Sequence, residues 1–419
     1  MAIRGVAHGG DGVGSAEGDP RTWLVPGALP GEVVLAARTE TRPRMIRGKV
    51  LEVVTAGASR VPAPCAIAGV CGGCGWQHVE PAAQAALKGE IVEGLLRKVE
   101  HPTIKVVASP AALGYRRRAR VHFEHRREGL ALGFMGRSGV VDTPDCVVLD
   151  GPLRHAFARV RELRGVLPAQ GEIHGISDGT RAVLGFASSS DVLGQRVPLP
   201  ALRGDAERAL NAVLDGVLVG VLAPGIAVGE VALEIDAGPE DMAIRTGPFA
   251  FAQAQAQQNA ALVAEVLDAA GGGHRRGIEL YAGSGNFTRG LATACRWLEA
   301  VELDPVGCNN LQQVASRLAL RGAKMQVRRE SAVSTLARAA AAGERYDLVV
   351  LDPPRGGLGT KAAGDLAKVA TGRIVYVSCD PATLVRDLAV LGQGRRVGRV
   401  TVFDMMPMTP EVEVVVSLV

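Results

Sequence analysis

The sequence predicts an α/β protein: a doubly wound sheet in the C-terminal part, a small β-barrel at the N-terminus and a mixed α+β region between them. Three observations carry this. From residue 249 onward, short apolar runs alternate regularly with helical stretches rich in Ala and Leu. Residues 1–60 show β-prone runs broken by Gly and Pro turns and no helical period. Between them, a cysteine-rich segment from Cys65 to Cys74 and one clear helix precede a stretch with no dominant pattern.

The chain has 419 residues, more than one hydrophobic core usually serves, so two or three domains are expected. Aromatic residues make up only 4%, so Val, Leu, Ile and Ala must build the cores. The formal net charge of +4 fits a nucleic-acid partner without requiring one. No apolar run reaches the ~20 residues that span a bilayer. Met1 to Pro20 is Gly-rich and lacks the apolar stretch of a secretory signal. The expectation is a cytoplasmic monomer with no membrane contact and no evident protein partner. In that compartment its cysteines are reduced or bound to metal rather than paired.

Residues 1–60 place β-prone runs at Glu32–Leu35 and Lys49–Val54, as a small barrel requires, and Thr55–Ser59 reads as a linker. The second region, 61–248, opens on the cysteines. Leu87, Ile91, Leu95 and Val99 then recur every four residues, which predicts a helix with one apolar stripe. In the third region, 249–419, the predicted strands are Gly277–Leu280, Leu298–Leu303, Met325–Val327, Leu348–Leu351, Ile374–Val377, Val400–Phe403 and Val412–Leu418. Helical stretches separate the first six, which should therefore run parallel. Only Asp404 to Glu411 separates the last two, too short for a parallel crossover of a dozen or more residues, so the seventh strand should turn back antiparallel. Six parallel strands with an antiparallel seventh form the seven-stranded sheet of class I (Rossmann-like) methyltransferases.

Ligands of open α/β sheets sit beyond the carboxyl ends of the strands. After the first strand comes Tyr281-Ala282-Gly283-Ser284-Gly285-Asn286, in which Gly283 and Gly285 let backbone approach a nucleoside closely. A dinucleotide fingerprint would need a third Gly where Thr288 stands, which argues against a nicotinamide cofactor. Glu302, at the end of the second strand, is spaced to take ribose hydroxyls.

The fourth strand ends in Asp352-Pro353-Pro354-Arg355, a rigid turn whose Asp can orient a cofactor or a base. Some adenine N-methyltransferases carry a similar Asp-Pro-Pro followed by an aromatic residue, but here Arg355 follows. The fifth strand runs into Cys379 at the same edge. Methylation at carbon 5 of uracil needs such a thiol, because addition to carbon 6 makes carbon 5 nucleophilic. A base must then remove the carbon 5 proton, and on chemistry alone either Glu411 or Glu413 suits.

Gly-Ser-Gly-Asn-Phe-Thr (283–288), Leu-Asp-Pro-Pro-Arg (351–355), Val-Ser-Cys-Asp-Pro-Ala-Thr-Leu-x-Arg-Asp (377–387) and Asp-Met-x-Pro-x-Thr-x-x-Val-Glu (404–413) occur in this order. Together they resemble the bacterial RNA uridine-C5 methyltransferases, and within them the iron–sulfur branch that acts on 23S ribosomal RNA. The resemblance implies S-adenosylmethionine as methyl donor, Cys379 as nucleophile and Glu413 as base. It implies cofactor contacts from Gln253, Tyr281, Asn286, Glu302, Ser331 and Asp352. Relatives commonly have His where this chain has Glu411. Gly10–Gly14, Val25–Glu32 and Arg60–Cys65 resemble a TRAM domain, which implies RNA binding by the barrel.

Cys65, Cys71 and Cys74 have metal-ligand spacing, with Gly72 and Gly73 allowing a tight wrap. Zinc could take these three with His78. A [4Fe–4S] cluster needs a fourth thiolate, and the resemblance implies Cys146 in that role. Cys295 and Cys308 read as packing residues. Arg116, Arg117, Arg118 and Arg120, with Arg126 and Arg127, form the clearest basic string for tracking RNA phosphates. The target base must leave its stack to reach Cys379. The alternatives are a transfer-RNA uridine-C5 methyltransferase and a non-catalytic iron–sulfur RNA-binding protein.

Overall fold

The computed structural model describes residues 1–190, 196–197, 202, 204–235 and 243–419. Ala2–Val6, Gly12–Ser15, Thr22–Val25, Val33–Thr41 and Met45–Thr55 close into a five-stranded barrel. Alternating side chains, among them Ile3, Trp23, Val25, Val34 and Ile46, fill its interior, as the period of two demands.

The predicted stripe becomes the helix Pro81–Leu96, with Pro in its first turn, where the missing N–H costs nothing. Leu87 and Ile91 pack with Leu29 and Trp76, while Val92 and Leu96 join the core of the C-terminal sheet. The helix is thus a wedge between barrel and sheet. It also buries Gln84 and Lys88.

The middle region is α+β. Its sheet runs, in spatial order, Ile226–Gly229, Leu218–Ala223, Ala182–Ala187, Gln170–Ser177, Arg118–Arg126, Gly129–Gly136 and Gly139–Asp142. Only the pair Ala182–Ala187 and Leu218–Ala223 is parallel. The helix Gly151–Val160 covers its apolar face through Leu153, Ala156, Phe157 and Val160.

In the C-terminal sheet the order is Met325–Arg329, Leu298–Glu302, Gly277–Leu280, Tyr346–Leu351, Ala370–Ser378, Glu413–Leu418 and Val397–Phe403. The last-formed strand, Glu413–Leu418, inserts between two earlier ones and is antiparallel to both. The expected directions are therefore those observed, but the expected count of seven strands is not. An eighth, Lys105–Val107, pairs in parallel with Val397–Phe403 at the sheet's edge. Three residues carry no readable period, and the partner lies at the far end of the chain, so no local pattern announced it. Among the described residues no helix is long and apolar enough to cross a membrane.

Candidate active site

The carboxyl edge of the sheet gathers the predicted residues because neighbouring strands are in register. Leu280 pairs with Val301 and with Leu351, which sets Glu302, Tyr281 and Asp352 side by side as the next residues. Ser378 pairs with Val414, which sets Cys379 opposite Glu413.

The turn after the first strand is built from left-handed residues: Tyr281 at φ 60°, Gly283 at φ 57° and Gly285 at φ 93°. For Tyr281 that conformation is strained and marks a position the surroundings over-determine. A Cβ on Gly283 would meet open space, whereas one on Gly285 would crowd Leu311 and Val314. Gly283 therefore opens onto a cavity and Gly285 seats the turn on the helix Pro305–Leu320. The cavity is lined by Gln253, Tyr281, Gly283, Asn286 and Asp352, together with exposed Phe251.

Glu302 stands behind the turn, accepting hydrogen bonds from the amides of Gly283 (2.7 Å), Leu303 (2.7 Å) and Asp304 (2.7 Å). Asn286 exchanges reciprocal amide hydrogen bonds with Asn259 at 2.8 and 3.0 Å. Ser331 caps the helix Ala332–Ala341, its Oγ accepting from the Ser334 amide at 3.1 Å, and does not line the cavity.

Cys379 is half-buried between its strand and the helix Pro381–Leu391. Burial, reinforced by Glu413 and Asp352 and opposed by Arg355, pushes its thiol up to about 12. Burial likewise raises Asp352 to about 7 and lifts Glu413 well above the ordinary carboxylate range, with Asp352 adding to the effect on Glu413. Three acidic groups crowded into one dry edge hold on to their protons. Glu413 is 8% exposed and its Oε1 has no hydrogen-bond partner. Glu411 lies outside the strand, where its exposed carboxylate is ion-paired to Arg355. The burial and free oxygen belong to Glu413.

Sequence reasoning left out the residues that hold this edge in place. Asp387, fully buried, accepts from the Leu358 amide (2.8 Å) and the Tyr376 hydroxyl (2.8 Å). Arg386 donates to the Gly356 carbonyl at 2.8 Å, and Thr383 to that of Arg355 at 3.0 Å. The helix after Cys379 thereby fixes the turn after Asp352. The shared string 377–387 contained this signal, but only contacts give it meaning.

Cys65, Cys71, Cys74 and Cys146 are free thiols lining one small cavity. Burial raises the thiols of Cys71, Cys74 and Cys146. Gly72 permits the wrap, because a Cβ there would lie 2.4 Å from the Met135 carbonyl. His78 does not line this cavity. Among the described residues no three His, Cys, Asp or Glu side chains converge closely enough to hold a single metal ion.

The arginines of the basic string are engaged individually. Arg116 lies over the Phe134 ring at 6.0 Å, Arg118 over the exposed Phe251 at 5.5 Å, and Arg120 is 3.7 Å from Glu172.

A family model described as tRNA (Uracil-5-)-methyltransferase matches residues 230–419. A 23S rRNA (uracil(1939)-C(5))-methyltransferase RlmD of Pseudomonas putida is 34% identical, over 96% of this chain and 90% of its own. An uncharacterized RNA methyltransferase of Bdellovibrio bacteriovorus is 30% identical, over 100% of this chain and 94% of its own. The crystal structure of a Pyrococcus abyssi tRNA (uracil-54, C5)-methyltransferase in complex with S-adenosyl-L-homocysteine superposes with a TM-score of 0.74. It covers 100% of both chains at 22% identity, so that likeness speaks for the fold alone.

Proposed function

This chain belongs to the RNA uracil-C5-methyltransferase family, and from that premise we propose that it methylates carbon 5 of a uridine in 23S ribosomal RNA through a covalent bond from Cys379. One observation carries the reading: Cys379 and Glu413 face each other across paired strands, beside Asp352 and the open cavity of the Gly283 turn.

That cavity suits S-adenosylmethionine. Gly283 leaves room for a close approach, Glu302 holds the turn from behind through the Gly283 amide, and Gln253, Tyr281, Asn286 and Asp352 supply walls. When bound, the cofactor supplies an electrophilic methyl group. Cys379 gives up its proton to solvent and its thiolate adds to carbon 6 of the flipped uracil, pushing electrons onto carbon 5. Once carbon 5 carries the methyl group, Glu413, its own proton first released to solvent, takes the remaining carbon 5 proton. The electrons of that bond re-form the 5,6 double bond, and the Cys379 thiolate leaves. A buried carboxylate of raised pKa is a competent base here because it regains the proton readily.

Cys65, Cys71, Cys74 and Cys146 fit a [4Fe–4S] cluster better than zinc. A cubane holds its thiolates at separate corners, wider apart than the ligands of one ion, and the fourth group at this cavity is a thiol rather than His78. The cluster would clasp the segment after the barrel to the middle region, since its ligands come from both. The barrel and Arg118, Arg120, Arg126 and Arg127 would engage the RNA backbone. Transfer RNA is the second substrate reading, favoured by the description of the matching family model.

The deciding experiment incubates RNA containing 5-fluorouridine with adenosylmethionine and the protein. Fluorine cannot be removed as a proton is, so the adduct persists on a denaturing gel. A band shift in the wild type that is absent in Cys379→Ala carries the proposal, and comparing ribosomal with transfer RNA assigns the substrate. Absence of an adduct with both RNAs, from protein with its cluster intact, rejects it.

A further inference from the structure

Adjacent antiparallel strands can be joined by two residues. The strands Val397–Phe403 and Glu413–Leu418 are joined instead by Asp404 to Val412, and hydrogen bonds or ion pairs from outside hold this longer loop at Asp404, Met406, Pro407, Met408 and Glu411. Lys88, with its side chain 0% exposed, donates to Asp404 Oδ1 at 2.5 Å and to the Met406 carbonyl at 3.1 Å. Gln84, one turn earlier on the same helix, accepts from the Met408 amide at 2.7 Å. The Trp76 amide donates to the Met408 carbonyl at 2.9 Å, and Tyr115 donates its hydroxyl to the Pro407 carbonyl at 3.1 Å.

Met408 itself sits at φ 65°, one of two non-Gly residues in the left-handed region among those described. Its N–H and C=O are both clamped, by Gln84 and Trp76. The other such residue, Tyr281, lies at the cofactor cavity. Strain of this kind persists only where surroundings impose it. A buried ion pair such as Lys88–Asp404 adds little net stability, since both charges lose water, so its presence calls for a role in geometry.

The loop opens at Asp404 and closes just before Glu413, and Phe403 pairs with Glu413 as the terminal rung of the two strands. A terminal rung frays unless its loop is fixed. The same loop carries Glu411, whose carboxylate is held on Arg355. We propose that Lys88, Gln84 and Trp76 are positioning residues that lock the Asp404–Glu411 loop and thereby aim Glu413 at the base bonded to Cys379. The inference rests on the methylation reading above and adds the requirement that proton removal, rather than thiol addition, depends on this clamp. Displacing a base by about 1 Å slows its step by up to about a hundredfold.

The test uses the full-length, cluster-loaded protein with two variants. Lys88→Met/Asp404→Asn removes both charges together, so no lone charge is left buried. Gln84→Met leaves the Lys88–Asp404 pair intact, releases the Met408 amide together with the Val79 carbonyl that Gln84 also binds, and remains informative if the double variant fails to fold. Expected for both is a fall in kcat of roughly ten- to a hundredfold, a KM for RNA within about threefold of wild type, and undiminished adduct formation with 5-fluorouridine RNA. On ordinary uridine RNA a covalent protein–RNA species should accumulate, because its release is the slowed step. Wild-type turnover in the folded variants, or equal loss of adduct and turnover, overturns the inference. If the wild type forms no adduct, the methylation reading itself has failed and takes the inference with it.

Discussion

Arg355 holds the carboxylate of Glu411 at the mouth of the site, two residues before the buried Glu413. The pair divides two chemically equivalent side chains into different duties. Glu411 is exposed and ion-paired to Arg355, while Glu413 is buried and raised in pKa.

Glu413→Gln should therefore lower kcat by about 10²–10⁴ and leave the covalent RNA adduct trapped with ordinary uridine. Glu411→Gln should change kcat by less than tenfold, because an exposed ion pair contributes under about 1 kcal/mol. Single-turnover assays on both variants check this, and the reverse ranking would move the base to Glu411.

Cys379 begins as a thiol held up to about 12 by burial and by its acidic neighbours. Below that value the thiolate fraction grows about tenfold per pH unit. Adduct formation with 5-fluorouridine RNA should thus accelerate as pH rises from about 7 to about 9. A rate flat across that range would mean that RNA binding creates the thiolate before chemistry begins.

Glu279 lies beneath the Gly283 turn, fully buried, accepting from the Thr288 hydroxyl at 2.5 Å. Burial raises its carboxyl to about 8. Folding thus takes up a proton here, and the cost appears above the ordinary carboxyl value of 4.5 and grows until about 8. Glu279→Gln removes that dependence. Relative to wild type its Tm should improve between about pH 5 and about pH 8, by an amount on the order of a few kcal/mol in stability. A constant difference across that range would show that Glu279 does not take up this proton on folding.

Cys146→Ser should abolish iron and acid-labile sulfide in anaerobically purified protein, and lower both Tm and RNA affinity. Stoichiometric zinc without iron in the wild type would replace the cluster assignment. A stable, active variant lacking the cluster would end its role as a clasp.

The directions of the C-terminal strands, the Gly283 turn, the gathering of Asp352, Cys379 and Glu413 at one edge, and the four thiols were all legible. The sheet-edge features are encoded by local strings whose positions in an α/β repeat fix where they point, whereas Cys146 was joined to the other three thiols only by the family resemblance. What holds those strings in place was not legible. Lys88 lies between Leu87 and Ile91 on a helix that otherwise looks ordinary, and its partner Asp404 lies at the other end of the chain. Asp387 reads as one more helical carboxylate until its buried partners are seen. Ser331, expected at the cofactor, is occupied as a helix cap. Periodicity reports which way a side chain faces along its own element, and it is silent about what another element brings to meet it.

The eighth strand bears on how this enzyme can be divided. A fragment beginning at residue 249 would hold Cys379, Glu413 and most of the cavity at the Gly283 turn, lacking only wall residues such as Ile244 and Thr246, and would look nearly self-sufficient on paper. It would lack Lys105–Val107, leaving the Val397–Phe403 edge with unpaired amides and carbonyls, and it would lack the helix that shields the adjoining core. Such an edge recruits strands from other molecules. The catalytic portion is therefore not a transplantable cassette: residues 105–107, far upstream of it, complete its sheet, and a nascent chain must keep that edge strand waiting until residues 397–403 have been synthesised.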